Sequence, residues 1–271
     1  MSEPFRYDGK RVVVSGCSSG IGEATALGAA RLGADVVGVD IKPPRVHVAE
    51  FVELDLAAPV AIDSAVDALD GPVDALFNCA GLSRGAADPM RVIAVNFLGL
   101  RRLTEALVAR MKNGSAVASI ASLGGLGWEA NLAAVREFVE HEDWDDAVAW
   151  IEKHAEDVAA GGYAISKQAV IVYTKIRAVP WAARGIRVNV IGPSPVDTPM
   201  LADSSKTVGA AYLERFPRPL GRNSTAEEQA NVLLFLNSDA SSYVTGQLLW
   251  TDGGYTAGVL TGHIDPVVGR R

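Results

Sequence analysis

The sequence lacks several features that would assign it to particular classes of protein. It has two cysteines in 271 residues, Cys17 and Cys79, too few for a disulfide framework, so a reducing, cytoplasmic compartment is expected. No apolar run reaches the length of about 18 residues that a membrane span needs, and the N-terminal residues show no apolar signal segment. The four histidines are scattered without metal-ligand spacing, so no metal site is expected.

Positive charge is also in short supply. Lys and Arg number 25 against 32 Asp and Glu, which gives a net charge of −7 at pH 7. Such a surface repels a phosphate backbone, so nucleic-acid binding is not expected. The acidic surplus is concentrated in residues 126–160, where ten acidic residues face two basic ones. We interpret this cluster as a solvated face.

Short apolar runs alternate with longer segments of helical periodicity. The runs are rich in Val and Ile and are nearly continuous, as in strands buried on both faces. They predict strands at 11–15, 35–40, 73–77, 115–120 and 187–191. With 49% hydrophobic residues available for a core, the alternation predicts a three-layer α/β fold with a doubly wound parallel sheet, in a single domain of residues 1–271.

Two segments interrupt this alternation. Residues 123–160 are too long for a simple link, and their apolar residues predict an inserted pair of helices. The two apolar faces comprise Leu132, Val135 and Val139, then Trp144, Val148, Ile151 and Val158. Residues 197–222 include three prolines and are typical of a long, partly mobile segment that serves as a substrate lid.

A glycine-rich turn follows the first predicted strand. The run GCSSGIG at 16–22 leads into a helix, and the next strand ends in Asp40, 18 residues after Gly22. Glycines let the backbone approach a pyrophosphate, the helix N-terminus stabilises its charge, and a carboxylate at about this distance binds the ribose. This context predicts a Rossmann-type dinucleotide site. Its expected members are Gly16, Ser18, Ser19, Gly20, Ile21 and Asp40.

The residues around this turn favour NAD over NADP. Asp40 can accept hydrogen bonds from both ribose hydroxyls and would repel a 2′-phosphate. Ser19 precedes the second glycine, a position where a basic side chain could bind that phosphate. Lys42 is a basic residue nearby, and we expect it to face solvent.

Tyr163 and Lys167 are four residues apart on a predicted helix, so their side chains share one face. A free tyrosine has a pKa near 10, which is too high for efficient proton transfer at neutral pH. An ammonium about 4 Å from the hydroxyl would favour the phenolate by about 4 kcal/mol at an effective dielectric of 20. The pair is therefore a candidate general acid/base, with the pKa of Tyr163 lowered by Lys167.

Further motifs in the same order resemble the short-chain dehydrogenase/reductase family over about residues 9–255. The motifs are the glycine turn, Asp55-Leu56, Asn78-Cys79-Ala80-Gly81, VNFLG around Asn96, SIAS ending at Ser122, YAISK at 163–167, GPSPVDTPM at 192–200 and TGQ…DGG at 245–254. The resemblance implies an NAD(P)-dependent enzyme acting on CH–OH groups. It adds cofactor contacts at Asp55, Leu56, Asn78, Ala80, Gly81, Tyr163, Lys167, Val196 and Thr198.

The resemblance also implies catalytic roles. Tyr163 would exchange a proton with the substrate oxygen, and Ser122 would hydrogen-bond the same oxygen. Lys167 would lower the tyrosine pKa and hold the nicotinamide ribose, and Asn96 would hold a water that relays protons. Ser119 is the rival of Ser122, and we expect it to be a packed strand residue.

The 41 residues that separate Ser122 from Tyr163 are more than most of the family has. An insertion here resembles one branch, which includes coniferyl alcohol dehydrogenase and a bacterial 3α-hydroxysteroid dehydrogenase/carbonyl reductase. This implies a small hydrophobic substrate, an aromatic or alicyclic alcohol or its carbonyl, and a homodimer or homotetramer. The alternatives are a hydroxysteroid dehydrogenase/carbonyl reductase and, from another class, a non-catalytic dinucleotide-sensing regulator.

Three tryptophans lie within the predicted insertion. We expect Trp144 and Trp150 to fix the extra helices to the body of the protein. Trp128, close in sequence to Ser122, is either a similar anchor or an aromatic wall of the substrate site. No role is predicted for residues 256–271.

Overall fold

The structure is a computed structural model that describes residues 3–267, with side chains for all of these except 205–208 and 210–212. Seven parallel strands form the central sheet, and two short strands form a separate pair. In chain order the strands are β1 (Arg11–Ser15), β2 (Asp35–Asp40), β3 (Glu50–Glu53), β4 (Val73–Asn78), β5 (Met111–Ile120), β6 (Arg187–Pro193), β7 (Val196–Asp197), β8 (Ser224–Thr225) and β9 (Leu248–Thr251).

Helices connect these strands. The α-helices are α1 (Gly20–Arg31), α2 (Pro59–Ala68), α3 (Pro89–Ile93), α4 (Leu100–Val108), α5 (Leu132–Glu140), α6 (Trp144–Lys153), α7 (Ala155–Ala182), α8 (Pro199–Val208), α9 (Ala210–Arg215), α10 (Ala226–Asn237) and α11 (Tyr255–Leu260). A π-helical turn at Ala94–Gly99 joins α3 to α4. None of the helices in the described part of the chain is long and apolar enough to cross a membrane.

The sheet order is β3-β2-β1-β4-β5-β6-β9. Alternate residues of β1 enter two cores: Val12 and Val14 pack on the side of α1 and α10, and Val13 packs on the side of α2, α4 and α7. Helices on both faces of a parallel sheet make the three-layer, doubly wound architecture, so the predicted fold class is confirmed. The strand order reverses between β1 and β4, and in such sheets ligands bind where the carboxyl ends of the strands meet at this point.

The structure adds two strands to the central sheet, β3 and β9, and the separate pair β7 and β8, to the five that the apolar runs predict. β3 and β9 are edge strands of four residues, too short to give a distinct periodicity. The helices within 123–160 also differ in detail from the expectation. Leu132 is 42% exposed, Phe138 is fully buried, and Val158 belongs to α7.

Helices α8 and α9 occupy much of the predicted lid at 197–222. Seven of its side chains, at 205–208 and 210–212, lie outside the described residues. At its end, Phe216 is buried and stacks on Tyr255, with ring centroids 4.9 Å apart.

Candidate active site

The turn after β1 brings its backbone into contact with the turn after β4. Gly16 has φ +73°, and a Cβ there would lie 2.6 Å from the backbone nitrogen of Ala80. A Cβ on Gly22, in the first turn of α1, would lie 2.0 Å from the carbonyl oxygen of Gly16. These contacts leave no room for side chains, and they keep the open α1 N-terminus beside the switch point of the sheet.

Ser15 also holds the turns after β1 and β4 together. Its hydroxyl accepts hydrogen bonds from the backbone amides of Cys79 (3.2 Å) and Ala80 (3.3 Å). The side chain is 1% exposed. Ser15 thus joins the ends of β1 and β4, a role that the glycine motif alone does not indicate.

Asp40 lies at the carboxyl end of β2, next to the glycine turn. Its carboxylate accepts hydrogen bonds from the backbone amides of Ser18 (3.0 Å) and Lys42 (3.2 Å). Ser19 is exposed at the N-cap of α1, and its side chain makes no cap hydrogen bond. The carboxylate is therefore held at the edge where an adenosine ribose would bind, and Lys42 is exposed as expected.

The segment after β6 closes over the glycine turn. A Cβ on Gly20 would lie 3.3 Å from the Cγ2 methyl of Thr198. Thr198 donates from its hydroxyl to the carbonyl of Val196 (3.2 Å), and Val196 is 8% exposed. Both residues thus lie against the same cleft as the glycine turn.

The residues at this edge fit a nicotinamide dinucleotide. The glycine cradle would be filled by added Cβ atoms, α1 points its free amides into it, and a carboxylate stands beside it. Gly16, Ser18, Ser19, Gly20 and Ile21 would hold the pyrophosphate, and Asp40 would hold the ribose.

Three of the expected cofactor residues have side chains that contact other residues of the protein. Asn78 is 1% exposed and donates to the hydroxyls of Thr104 (2.9 Å) and Ser119 (3.1 Å). Leu56 is buried in the core. Asp55 forms an ion pair with Arg91 (2.7 Å). The side chain of Asn78 therefore ties β4 to α4 and β5, and its contact with the cofactor stays a prediction.

The pKa of Asp55 reflects its partners. Partial burial opposes ionisation, but the hydrogen bond from the Ala57 amide and the charge of Arg91 outweigh it and hold the pKa of Asp55 below its usual value. Asp55 is accordingly a charged residue with its own partner.

Asn96 lies in the π-helical turn and is fully buried. Its Oδ1 accepts from the amide of Leu82 (2.7 Å), and its Nδ2 donates to the carbonyl of Leu82 (3.0 Å) and to the Ser166 hydroxyl (3.3 Å). A Cβ on Gly81 would lie 3.1 Å from Asn96 Oδ1 and 3.6 Å from Lys167 Nζ. The structure thus brings Asn96, Gly81 and Lys167 together, with Asn96 fixing the backbone after β4. π-Helical turns of this kind are frequent at functional sites.

Ser122 and Tyr163 meet at the carboxyl end of β5. A Cβ on Gly124 would lie 2.7 Å from Cε1 of Tyr163 and 3.6 Å from Oγ of Ser122. The Ser122 hydroxyl accepts from the Gly124 amide (3.1 Å), and the neighbouring Ser122 side chain acts to lower the pKa of Tyr163. Gly124 permits this approach, and the pair of glycines after Ser122 was the available sequence signal for it.

The influences on the pKa of Tyr163 differ from those expected. Burial raises the pKa of Tyr163, and the Ser122 hydrogen bond and the charge of Arg84 only partly offset it. Lys167 Nζ lies 5.8 Å from the centre of the tyrosine ring and donates to the Ile120 carbonyl (3.1 Å). Lys167 is not among the influences on Tyr163, so the lowering of the tyrosine pKa by Lys167 stays a prediction. Burial lowers the pKa of Lys167 itself to about 8.

Ser119 does not share this site. It is 2% exposed in β5, and its hydroxyl accepts from the amide nitrogen of Asn78. The position of Ser122 next to Tyr163 agrees with the choice of Ser122 as the candidate catalytic serine.

Comparisons with known proteins agree with this geometry. A family model described as short chain dehydrogenase matches residues 10–134, and one described as Enoyl-(Acyl carrier protein) reductase matches residues 149–256. The coniferyl-alcohol dehydrogenase of Pseudomonas sp. (strain HR199 / DSM 7063) is 35% identical over 90% of this chain and 96% of its own length. The 3-alpha-hydroxysteroid dehydrogenase/carbonyl reductase of Comamonas testosteroni is 32% identical over 91% of this chain and 96% of its own.

The chain belongs to the short-chain dehydrogenase/reductase family. The predicted family, its branch and the oxidoreductase class are thereby confirmed. A solved structure, the 3-alpha-hydroxysteroid dehydrogenase from Pseudomonas sp. B-0831 complexed with NADH, has the same fold with a TM-score of 0.78. It is 30% identical and covers 95% of this chain and 100% of that chain.

The helices between Ser122 and Tyr163 are fixed to the body of this short-chain dehydrogenase by a buried arginine. Arg101 of α4 is 2% exposed. Its guanidinium donates to three backbone carbonyls at the end of α5, those of Val139 (3.2 Å), His141 and Glu142 (3.2 Å). One side chain thus satisfies carbonyls that have no partner inside the helix.

Aromatic rings complete this attachment. Trp150 stacks between Phe138 (4.9 Å) and His154 (3.9 Å) and donates to Glu137 (3.1 Å), which agrees with the expected anchoring role. Trp128 lies beneath the ammonium of Lys175, 5.1 Å from its ring centre. Lys175 is twelve residues after Tyr163 on α7, about 18 Å along the helix axis. This position favours packing over a wall at the tyrosine.

Neither cysteine of the dehydrogenase has the character of a nucleophile. Burial raises the pKa of Cys17 and of Cys79 to about 12, so both are protonated thiols at neutral pH. Both are free. Among the described residues, no group of three His, Cys, Asp or Glu side chains could hold a metal ion.

The C-terminal residues pack close to the active site. The Tyr255 hydroxyl accepts from the backbone amide of Val267 (2.9 Å). Tyr255 and Phe216 form a small core with Leu123, the residue after Ser122. Residues 256–267 of the tail, for which no role is predicted, therefore support the loop that carries the serine.

Proposed function

We propose that this protein interconverts a hydrophobic alcohol, aromatic or alicyclic, and its carbonyl by hydride transfer, with NAD as the cofactor. The observation that carries the proposal is the meeting of Ser122 and Tyr163 over Gly124, with Lys167 and Asn96 on the adjoining side.

The residues divide the chemistry in a simple way. In oxidation, Tyr163 takes the hydroxyl proton of the alcohol, and Ser122 holds the substrate oxygen by a hydrogen bond. In reduction, the protonated Tyr163 returns that proton to the carbonyl oxygen. Lys167 would position the ribose, and Asn96 would position the backbone after β4. The nicotinamide ring supplies hydride acceptance or donation when it is bound.

NAD is the proposed cofactor because of Asp40. The Ser18 and Lys42 amides hold its carboxylate at the ribose edge, where a second negative charge from a 2′-phosphate would be repelled. Lys42 and Arg45 are exposed cations nearby, but neither replaces the carboxylate in the site.

The proposed substrate class is supported by the names of the relatives. The 35% identical relative is a coniferyl-alcohol dehydrogenase, which favours an aromatic alcohol. The second candidate is a hydroxysteroid dehydrogenase/carbonyl reductase, favoured by the 32% identical relative and by the solved structure at a TM-score of 0.78.

Several finer properties belong to the same proposal. We propose that residues 197–222 act as the lid over the substrate, and that the protein works in the cytoplasm as a homodimer or homotetramer. The two free, protonated thiols are consistent with a reducing compartment.

The first test is Tyr163→Phe, with Tyr173→Phe as the matched control. Tyr173 is a second buried tyrosine of α7, whose ring packs on Phe97 and Trp181. Loss of a general acid/base lowers kcat by about 10²- to 10⁴-fold. We expect that loss only for Tyr163→Phe, with NAD binding retained. Unchanged turnover in Tyr163→Phe would exclude the proposed site.

The substrate and cofactor are tested together by following NADH or NADPH formation at 340 nm. The panel holds aryl-allylic, monoterpene and steroid alcohols, each with NAD and with NADP. We expect turnover of one class with NAD, and Asp40→Ala should shift the preference toward NADP. Activity confined to NADP would contradict the role of Asp40, and binding of NAD without any turnover would favour a dinucleotide-sensing regulator.

A further inference from the structure

A single arginine stands at the rim of the active site on a tight turn. The amide of Ala86 donates to the Ser83 carbonyl (3.2 Å), and Gly85 has φ +79°, so residues 83–86 form a β-turn. Arg84 is the second residue of this turn, and it is exposed. Its guanidinium has no hydrogen bond or ion pair to any of the residues that the structure describes.

The turn is fixed in place at both of its ends by residues of the active site. Before it, Leu82 is held through both its amide and its carbonyl by Asn96. After it, Pro89 packs against Gly162, where an added Cβ would lie 3.0 Å from the Cβ of Pro89. Gly162 directly precedes Tyr163, so the turn spans the rim from the asparagine to the tyrosine.

The charge of Arg84 reaches the reacting group. It is one of the two influences that oppose the burial of the Tyr163 hydroxyl, after the hydrogen bond with Ser122. Pro89, three residues after the turn, contacts Gly162 next to Tyr163. The turn that carries this cation therefore lies beside the position where Tyr163 would meet a substrate oxygen.

Two acids bonded to Arg91 are already engaged. Asp88 caps α3 by accepting from the Arg91 amide (3.0 Å), and Asp55 pairs with the Arg91 guanidinium (2.7 Å). Among the described residues, Arg84 is therefore left exposed at the rim without a protein anion. Guanidinium groups bind carboxylates through paired N–H donors, so a carboxylate on a ligand would complete this arrangement.

We propose that Arg84 binds a carboxylate of the substrate, so that the preferred substrate is a hydrophobic hydroxy acid or the matching oxo acid. This inference rests on the proposed function and narrows its substrate class. It makes Arg84 a specificity residue, because proton transfer at Tyr163 does not itself need the substrate carboxylate.

The test measures binding before it measures turnover. Isothermal titration calorimetry with the NAD-saturated protein compares cyclohexanecarboxylate, which has no hydroxyl to react, with its methyl ester. We expect the acid to bind more tightly, and Arg84→Gln to weaken the acid by about 10- to 100-fold, the range of a charged hydrogen-bonded pair, without changing the ester. Arg84→Lys should retain part of the affinity. Arg31→Gln, which removes an exposed arginine from the last turn of α1, controls for the overall change in charge.

Kinetics then separate this inference from the proposed function. With 4-hydroxycyclohexanecarboxylate and its methyl ester, Arg84→Gln should lower kcat/KM for the acid alone, mainly through KM. The ratio of acid to ester removes any effect on Tyr163, which both substrates use. Equal affinities of acid and ester in the unmodified protein, or equal losses in Arg84→Gln, would overturn the role of Arg84. Absence of turnover with every alcohol, while the carboxylate still binds through Arg84, would overturn only the proposed reaction.

Discussion

The cofactor edge of the sheet and the helices inserted before Tyr163 are held together by different kinds of contact. At the cofactor edge, backbone atoms contact backbone atoms. A Cβ added to Gly22, for example, would lie 2.0 Å from the carbonyl oxygen of Gly16. In the insertion, large side chains fill the space, as where Phe138 packs between Phe97 and Trp150. The first region therefore depends on positions that must carry no side chain. The second depends on the size of the side chains that fill it.

The sharpest way to test this difference is to add one methyl group in each region. Gly22→Ala would place a Cβ against the Gly16 carbonyl and the Cys79 side chain. Overpacking that forces the backbone to move typically costs about 1–3 kcal/mol and occasionally more, so we expect NAD binding to be lost and stability to fall. Urea unfolding and NAD titration measure the two effects.

Gly161→Ala is the matched control for that change. A Cβ at Gly161 meets nothing within 4 Å. We expect unfolding and NAD affinity to stay close to those of the unmodified protein. If Gly22→Ala and Gly161→Ala had the same effect on unfolding and NAD affinity, close backbone contact would not explain why the turn contains glycine.

The two regions also differ in how far the sequence predicts them. The bounds of β1 and β2 follow directly from continuous runs of Val, because such runs are buried on both faces and have no competing helical pattern. In the insertion, Val135 and Val139 are buried as expected, but Leu132 is exposed. The orientation of α5 there depends on Arg101, a residue of α4 that local periodicity does not reveal.

The candidate site shows the same limit. The motif spacing places Tyr163 and Lys167 on one face, but it does not show that Lys167 donates to Ile120, or that Asn78 turns into the core. These bonds depend on neighbouring strands brought together only by the fold. Arg84 is a further case, because nothing in the spacing of the motifs marks it.

A second prediction concerns the side-chain packing of the insertion. Phe138→Ala would remove a fully buried ring from between Phe97 and Trp150. Large-to-small changes of this type cost about 3–5 kcal/mol, and we expect that loss in urea unfolding. NAD affinity should remain, since the glycine turn does not touch this ring.

Leu132→Ala supplies the comparison within the same helix. Leu132 is 42% exposed, so we expect its truncation to cost much less than that of Phe138. A loss of NAD affinity in Phe138→Ala, at concentrations of urea where the protein stays folded, would show that the two regions are coupled.

The last and smallest effect is expected where the two regions join, at the pair formed by Ser122 before the insertion and Tyr163 after it. Oxidation requires a deprotonated Tyr163, and burial raises its pKa while the Ser122 hydrogen bond lowers it. The rate of oxidation should therefore rise with pH toward the alkaline range. Reduction, which needs the protonated tyrosine, should not lose activity through neutral pH.

Removing the hydroxyl of Ser122 should shift the pH at which the oxidation rate rises, and in a defined direction. In Ser122→Ala the influence that lowers the pKa of Tyr163 is lost, so the rise in kcat/KM for oxidation should shift to higher pH. Ser119→Ala removes a buried hydroxyl that is hydrogen-bonded to Asn78. This change should leave the pH at which the oxidation rate rises unchanged. A pH–rate profile of the three proteins decides the matter: a shift in Ser119→Ala, or none in Ser122→Ala, would assign the tyrosine a different partner. The expected result would show that the inserted helices leave the serine and the tyrosine on either side of them acting as one unit.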